Sequence, residues 1–286
     1  MTYLGIDGGG SKTAFLLESE DEQEIARFET GPSNWLSSGP ATARESLTQG
    51  VHRLPKAPDV VCGGFAGAGR AEGIEFYRNC LSELLPRAQL LIETDAFITY
   101  IGAIGPVPGI LLIAGTGSIA LARRADGTMV RAGGWGPTFG DEGGGFWIGR
   151  EAIRHALRAH DAGKSAEFVA SIAGALKLRN ITEAPAAWKD ALLDVRSVAG
   201  LASIVTAHYP AEPADQILAE AAGHLRSLAE LVQRRADLPE SCPMSVSGSV
   251  ANHPILQKLI GLRFSHPANP PARGAILWAR DRIKPS

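Results

Sequence analysis

The sequence predicts an α/β protein built from two related units. Short apolar segments alternate with segments of helical periodicity, and a glycine-rich turn separates two short apolar runs at Asp7–Thr13 and again at Gly115–Ser118. The two turns lie about 108 positions apart in a chain of 286 residues, which is long enough for two ordinary domains. We therefore expect an internal duplication, with domains 1–109 and 110–269 and a closing helix, 270–286, that packs back on the first domain.

The first unit opens as strand, turn, strand and continues with alternating helices and strands. A polar segment with proline and glycine separates the two parts. The predicted strands are Tyr3–Ile6, Ala14–Leu17, Ile25–Phe28, Asp59–Cys62 and Gln89–Glu93, and the predicted helices are Ala41–Arg53, Ile74–Leu85 and Ala96–Ile104.

The second unit repeats the opening and then becomes mainly helical. An Asp126–Gly127 hairpin signal follows its second strand. The closing helix is predicted from proline at its first turn. The strands are Ile110–Ala114, Ile119–Arg123 and Met244–Ser247, and the helices are Phe146–His160, Ala166–Leu178, Val198–His208 and Ala214–Arg235.

Composition excludes several classes of function. The formal net charge is -2, and the sequence has no concentrated basic segment, so a nucleic-acid partner is not expected. The three cysteines, at positions 62, 80 and 242, have no metal-ligand or CxxC spacing, and their odd number argues against a disulfide framework. The chain shows no signal peptide and no apolar run of membrane-spanning length. We expect a cytoplasmic protein without a membrane segment.

The glycine turns do not fit two familiar nucleotide-binding motifs. In a P-loop, lysine follows the second glycine directly, whereas Lys12 comes one position too late after Gly10. Gly115–Ala120 matches the dinucleotide pattern formally, but a strand follows it where that motif requires a helix. Taken alone, this second turn is equally well explained as a hairpin that needs glycine at positive φ.

The two turns together indicate a different phosphate site. Each exposes backbone N–H groups and hydroxyls, and one turn from each unit can clamp a triphosphate. Asp7, within the first turn, supplies a carboxylate, and Mg²⁺ on ATP uses only one or two protein carboxylates. We therefore predict Asp7 as the metal ligand.

At this point the sequence resembles the actin/hexokinase-type ATPase superfamily and, within it, the N-acetylglucosamine and glucosamine kinases of the BadF/BadG/BcrA/BcrD type. The resemblance spans nearly the whole chain, and the paired Gly-Gly-Trp-Gly and Gly-Asp-Glu-Gly motifs are its most specific part. It rests on the segments Gly5–Thr13, Ser33–Trp35, Thr94–Ala96, Gly115–Ser118, Gly133–Gly136, Gly140–Gly143 and Ser247–Val250.

The resemblance implies a duplicated ribonuclease H-like fold, the actin-type ATPase fold, with two domains around a nucleotide and sugar cleft. It also implies a kinase that moves the γ-phosphoryl group of ATP, with Mg²⁺, to an amino-sugar hydroxyl, O6 in our prediction. Asp95 would be the general base. The implied sugar contacts are Asn34, Trp135, Gly136, Asp141 and Glu142, and the implied nucleotide contacts are Gly9, Gly10, Ser11, Lys12, Thr13, Thr116, Gly117, Gly248 and Ser249.

The position of Asp95 supports its role independently. It directly follows an apolar strand, and ligands of α/β sheets bind at the carboxyl ends of strands. The alternative is a helix N-cap, a position that aspartate also fills well. For Asp141 and Glu142 the alternative is a solvated turn, and for Asn34 an ordinary loop residue. Trp135 lies between glycines and offers a flat face for a sugar ring.

Two other functions stay open. Members of the same family activate 2-hydroxyacyl-CoA dehydratases through an iron–sulfur cluster shared by two subunits, and the three cysteines here look like buried apolar residues instead. A sugar sensor without turnover is the second alternative, although Asp7 and Asp95 are both present. For a kinase, we expect the domains to close around the sugar and exclude water. Homodimerisation is expected from the family, and the particular amino sugar is left open.

Overall fold

Two separate mixed β-sheets organise the chain in a computed structural model that describes residues 1–283. The chain divides into unit 1, residues 1–107 with the chain from His266 onward, and unit 2, Pro108–Ser265. The sequence had set these boundaries at 109 and 269. The part of the predicted closing helix at 284–286 lies outside the described residues.

Unit 1 carries a five-stranded sheet in the order β3-β2-β1-β4-β5. The first three strands form an antiparallel meander, whereas β4 and β5 run parallel to β1. Its elements are β1 (Thr2–Gly8), β2 (Thr13–Ser19), β3 (Glu24–Thr30), α1 (Pro40–His52), β4 (Val60–Phe65), α2 (Ala71–Leu84), β5 (Gln89–Thr94), α3 (Asp95–Ile104) and the last helix, α10 (Pro271–Arg282).

Helices cover both faces of the sheet in unit 1. Every residue of β4 is buried, which is typical of a central parallel strand covered on both faces. One face of the sheet packs on α1 and α2 through a core that includes Phe15, Phe65 and Tyr77. The helices α3 and α10 pack against each other and against β1 and β4. The closing helix therefore belongs to unit 1.

Unit 2 carries a four-stranded sheet in the order β8-β7-β6-β9. Three strands again form an antiparallel meander, and β9 runs parallel to β6. Its elements are β6 (Gly109–Ala114), β7 (Ser118–Arg123), β8 (Met129–Gly133), α4 (Gly145–Asp161), α5 (Ala166–Ala175), a 3₁₀ turn (Ile181–Glu183), α6 (Ala184–Lys189), α7 (Val195–His208), α8 (Ala214–Ala236), β9 (Met244–Ser247) and α9 (Pro254–Ile260).

The two sheets confirm the predicted duplication. The order β8-β7-β6-β9 repeats β3-β2-β1-β4, and a glycine turn joins the first two strands of each meander. The place of the fifth strand is taken by a single parallel bridge between Ser245 and Ser265. The α/β class and the duplicated ribonuclease H-like arrangement are therefore confirmed.

Candidate active site

Two carboxylates lie at the carboxyl ends of parallel strands in unit 1. Asp7 is the penultimate residue of β1 and pairs in register with Gly64 of β4, while Asp95 follows Thr94, the last residue of β5. Neighbouring strands are about 4.8 Å apart, and only β4 separates β1 from β5. The sheet thus brings both side chains to one edge, where α/β proteins bind their ligands.

Burial makes both carboxyl groups weaker acids than usual. It raises the pKa of Asp7 from 3.8 to about 6, with a further contribution from the negative charge of Asp95 and an opposing one from Lys12. Burial also raises the pKa of Asp95, against the effect of hydrogen bonds from backbone N–H groups. Two partly desolvated carboxylates of this kind are typical of a catalytic or metal-binding site.

The start of α3 corrects the alternative assignment of Asp95. Thr94, rather than Asp95, is the N-cap, because its hydroxyl accepts a hydrogen bond from the Phe97 N–H at 3.1 Å. Asp95 is the first helical residue, and its Oδ1 accepts the Ala96 N–H at 2.8 Å. The capping role is thus filled by the preceding residue.

The first glycine turn is held by bonds within unit 1. The Gly9 N–H donates to the Lys12 carbonyl at 3.0 Å, and Lys12 Nζ pairs with Glu29 at 2.6 Å on the surface. The Thr13 hydroxyl is fully buried and donates to the Gly31 carbonyl at 2.8 Å. Gly10 and Ser11 at the tip are exposed. The tip is therefore open to a ligand, whereas the Thr13 side chain stabilises the base of the turn.

Asn34 lies directly on the first glycine turn. Its N–H donates to the Gly9 carbonyl at 3.1 Å, and its Oδ1 accepts the N–H groups of Leu36 at 3.0 Å and Ser37 at 3.4 Å. The side-chain oxygen thus closes a local Asx turn. The structure places Asn34 beside Gly9, and its contact with a sugar stays a prediction.

The second glycine turn is packed against the N-terminus of α4. The N–H groups of Gly145 and Phe146 donate to the carbonyls of Gly115 at 2.7 Å and Thr116 at 2.9 Å. A Cβ at Gly144 would stand only 2.7 to 2.9 Å from the backbone of Gly117. Glycine is therefore required in this segment for close approach.

The second turn joins the antiparallel strands β6 and β7 as a hairpin, but the expected need for positive φ at its glycines is wrong. Gly115 and Gly117 are absent from the glycines with positive φ in the described chain, so a left-handed backbone is not the reason for glycine here. Within residues 1–283, the N–H groups of Thr116 and Gly117 donate to no protein acceptor. Free, neighbouring N–H groups of this kind can bind an anion.

The segment 133–143 packs against the second glycine turn. Gly134 and Gly136 adopt φ of 69° and 85°, on either side of Trp135. Asp141 Oδ1 accepts the Gly136 N–H at 3.2 Å, and burial raises the pKa of Asp141. The Asp141 carboxylate lies against Gly117, where a Cβ would meet its Oδ2 at 2.2 Å. Asp141 is therefore brought to the second glycine turn.

The other two predicted side chains of this segment face outward. Trp135 is 66% exposed, and the guanidinium of Arg131 stands 4.3 Å from its ring centroid. The Glu142 side chain is exposed, while its carbonyl accepts the Ser118 hydroxyl at 2.8 Å. Both are free to meet a ligand from solvent.

A cavity of about 880 Å³ opens beside the second turn, entirely within unit 2. This volume is within the range of small-molecule sites. Thr116 and Ser249, two predicted nucleotide contacts, lie in its wall. Gly248 turns the chain after β9 at φ 91°, and the Val250 and Ala251 N–H groups both donate to the Ala114 carbonyl at 3.0 Å.

The far wall of this cavity was missed by sequence analysis. It consists of one face of α7 with the start of α9, both outside the motifs. The available signal was the run of small and hydroxyl residues at helical spacing along α7. The lining residues from these elements are Arg196, Ala199, Gly200, Ala202, Ser203, Thr206, Ala207, His253, Ile255 and Leu256.

Residues 1–283 contain no group of three or more His, Cys, Asp or Glu side chains arranged to hold a metal ion. None of their helices combines the length and hydropathy that crossing a membrane requires.

Known proteins resemble the chain in sequence and in structure. It is 35% identical over 185 residues to the N-acetylmuramic acid/N-acetylglucosamine kinase of Clostridium acetobutylicum, covering 62% of this chain and 60% of that one. It is 32% identical over 175 residues to the N-acetyl-D-glucosamine kinase of Dictyostelium discoideum, covering 56% and 55%. The matched region thus spans between half and two thirds of each curated relative.

A solved structure matches almost end to end. A candidate N-acetylglucosamine kinase from Chromobacterium violaceum superposes with a TM-score of 0.79 at 27% identity, covering 96% of this chain and 98% of that one. The profile of the BadF/BadG/BcrA/BcrD ATPase family matches residues 4–279, which include both glycine turns, both carboxylates and the segment 133–143. The chain belongs to the BadF/BadG/BcrA/BcrD ATPase family.

Proposed function

We propose that the protein is an ATP-dependent kinase that phosphorylates a hydroxyl, O6, of an amino sugar such as N-acetylglucosamine or glucosamine. The observation that carries this is Asp95, a partly desolvated carboxylate at the carboxyl end of β5 whose pKa is raised by burial. The names of the curated relatives and of the matching solved structure support the substrate class.

Asp95 is the general base in this proposal. A general base is most effective when its pKa approaches the working pH, and burial moves the pKa of Asp95 in that direction. Its first-turn position in α3 fixes the carboxylate while Thr94 carries the cap. Asp95 would orient the attacking hydroxyl and accept its proton, which suits phosphoryl transfer because positioning dominates that reaction.

Asp7 fits the role of a Mg²⁺ ligand. Its carboxyl group is partly desolvated and faces the negative charge of Asp95, so a nearby cation would relieve an unfavourable charge. The described residues hold no ready-made metal cage, and Mg²⁺ that arrives with ATP needs only one or two protein carboxylates. When bound, Mg²⁺ would neutralise charge on the phosphates.

The second turn and the large cavity of unit 2 are proposed to hold the nucleotide. The free N–H groups of Thr116 and Gly117 would bind phosphate oxygens, and Gly248 and Ser249 would meet the nucleoside in the cavity. In unit 1, residues 9–13 would contribute the exposed tip of the first turn.

Each unit contains polar or aromatic groups that are proposed as sugar contacts. Asn34 of unit 1 would bind the 2-substituent. In unit 2, Trp135 and Gly136 would present an aromatic face and a backbone amide, with Asp141 and Glu142 nearby.

ADP release in the presence of Mg-ATP tests the proposal. N-acetylglucosamine, glucosamine, N-acetylmuramic acid, glucose and no sugar would be compared with a coupled assay. We expect sugar-dependent turnover that falls by about 10²- to 10⁴-fold in Asp95→Asn. ADP release that is indifferent to every sugar, or unchanged in Asp95→Asn, would refute the kinase and its base.

Glu93→Gln is the matched control. Glu93 lies on β5, two residues before Asp95, and burial raises its pKa as well, but its Oε1 accepts the Trp278 Nε1–H at 2.9 Å. Glutamine retains that acceptor, so this variant should keep its activity. A loss equal to that of Asp95→Asn would mean that burial of charge near β5, rather than catalysis, explains both results.

The two alternatives have less support. Cys62 and Cys80 are buried thiols whose pKa is raised by burial, which does not suit ligands of an exposed iron–sulfur cluster. A silent sensor would not need two desolvated carboxylates at one sheet edge. Use of ATP and three free thiols support a cytoplasmic location, and a homodimer is proposed from the family.

A further inference from the structure

A second cavity in unit 2, of about 490 Å³, lies next to the segment that carries Trp135 and Gly136. Pro137 and Thr138, the next two residues of that segment, form part of its wall. We propose that this cavity binds an acidic substituent of the acceptor, so that the enzyme favours amino sugars with a carboxylate-bearing ether over neutral ones. This inference rests on the proposed kinase function.

The cavity wall is largely apolar. Phe146 and Trp188 contact each other with ring centroids 5.8 Å apart, and Trp188 is still 47% exposed. The remaining apolar side chains of the wall come from α4, α6, α7 and the connection between α6 and α7: Ile153, Ala184, Pro185, Leu193, Val195 and Val198. A ligand without an apolar part would leave this surface unused.

The charge at this cavity is positive. Arg150 and Arg154 of α4 are the charged residues of its wall, and both share one carboxylate oxygen, Glu151 Oε1, at 3.2 Å. The side chains of Arg150 and Arg154 are 41% and 53% exposed, respectively, whereas the Glu151 side chain is 11% exposed. Two guanidinium groups against one carboxylate leave one positive charge uncompensated.

An apolar wall with an uncompensated guanidinium charge suits a substituent that has both an apolar group and a negative charge. A lactyl ether, as in N-acetylmuramic acid, carries a methyl group and a carboxylate on a short flexible arm. Arginine binds carboxylates through paired, charge-assisted hydrogen bonds, which are stronger than neutral ones. A neutral amino sugar could accept only the weaker hydrogen bonds that Arg150 and Arg154 donate to uncharged oxygens.

The test compares three acceptors with Mg-ATP: N-acetylmuramic acid, its methyl ester and N-acetylglucosamine. We expect wild type to have a higher kcat/KM for the acid than for the ester. In Arg154→Met, which retains an apolar side chain, the acid-to-ester ratio of kcat/KM should fall by about tenfold or more. Arg154→Lys, which restores the positive charge, should recover part of that loss.

Arg158→Met is the matched control, because Arg158 lies one turn further along α4, is exposed and does not line the cavity. Its acid-to-ester ratio should equal that of wild type. Equal efficiencies for acid and ester in wild type, or a ratio unchanged by Arg154→Met, would overturn the inference while leaving the kinase intact. Absence of turnover with all three acceptors would overturn the kinase proposal and this one with it.

Discussion

Replacing Asp7 by asparagine tests the electrostatics of the carboxylate pair in unit 1. Burial and the charge of Asp95 raise the pKa of Asp7 from 3.8 to about 6, so the folded protein binds this proton more tightly than the unfolded chain does. The stability that this group contributes is fully present below about pH 3.8 and is lost as the pH rises through about 6. The ionised side chain therefore destabilises the fold at neutral and alkaline pH.

The size of this effect follows from the two pKa values. They differ by about two units, and each unit corresponds to about 1.4 kcal/mol. Relative to a neutral side chain of the same shape, ionised Asp7 should cost about 3 kcal/mol at pH 8 and about 0.5 kcal/mol at pH 4. Asp7→Asn should therefore raise the free energy of unfolding by about 3 kcal/mol at pH 8 and by little at pH 4.

The assay is urea unfolding of both proteins between pH 4 and pH 8, in buffer with a chelator so that no metal ion compensates the charge. The same variant should lose at least about tenfold in ADP release, because asparagine removes the charge of the proposed Mg²⁺ ligand. Functional sites often exchange stability for activity in this way. A gain in stability with a loss of activity would show that Asp7 has a functional rather than a structural role.

Asp126→Asn is the control for this experiment. Asp126 is exposed, and hydrogen bonds from Thr128 lower its pKa, so its contribution to stability is lost as the pH falls instead. This variant should gain nothing at pH 8. The reasoning would be refuted if Asp7→Asn were no more stable than wild type at pH 8, or if its gain did not shrink towards pH 4.

Three further changes test the proposed nucleotide cavity, the second turn and the start of α3. Ser203→Trp fills the cavity from α7 and should raise the KM for ATP at least about tenfold with less effect on the KM for sugar, whereas Ser227→Trp, on an exposed face of α8, should change neither. Gly144→Ala places a Cβ within 3 Å of the Gly117 backbone, so it should lower the free energy of unfolding by about 1–3 kcal/mol. Calorimetry should also show weaker ATP binding by this variant. Gly69→Ala is the control and should change neither quantity, because a Cβ there has open space. Thr94→Ala removes the cap of α3 and should cost about 1 kcal/mol in urea unfolding, and Thr94→Ser should retain it; equal losses in both would contradict the capping assignment.

The paired strands and the longer helices of this protein are encoded locally. Alternating or continuous apolar runs bounded by glycine predicted β1, β2, β6 and β7, and helical spacing predicted α8 almost to its ends. The sequence was less informative about α9, whose seven residues are too few for a clear period. The strand β8 was indicated only by the Asp126–Gly127 turn that precedes it.

Part of the candidate site was also predictable from the sequence, and part was not. Residue types and family motifs identified Asp7, Asp95 and both glycine turns, and the fold class is confirmed, while the roles of individual site residues stay predictions. The alternative that Asp95 caps α3 was wrong, because Thr94 and Asp95 are both good caps and only the backbone geometry decides between them.

The sequence by itself determined the duplication, the two glycine turns and the carboxylates Asp7 and Asp95, because each depends on residues close together in the chain. Only the tertiary structure decided that α7 forms a wall of the cavity of about 880 Å³, that the start of α4 packs on the second turn, and that Arg150 and Arg154 share Glu151 beside an apolar cavity. The first two depend on packing between segments far apart in sequence. Such contacts are set by the complementary shapes of whole elements, and local residue patterns do not specify them.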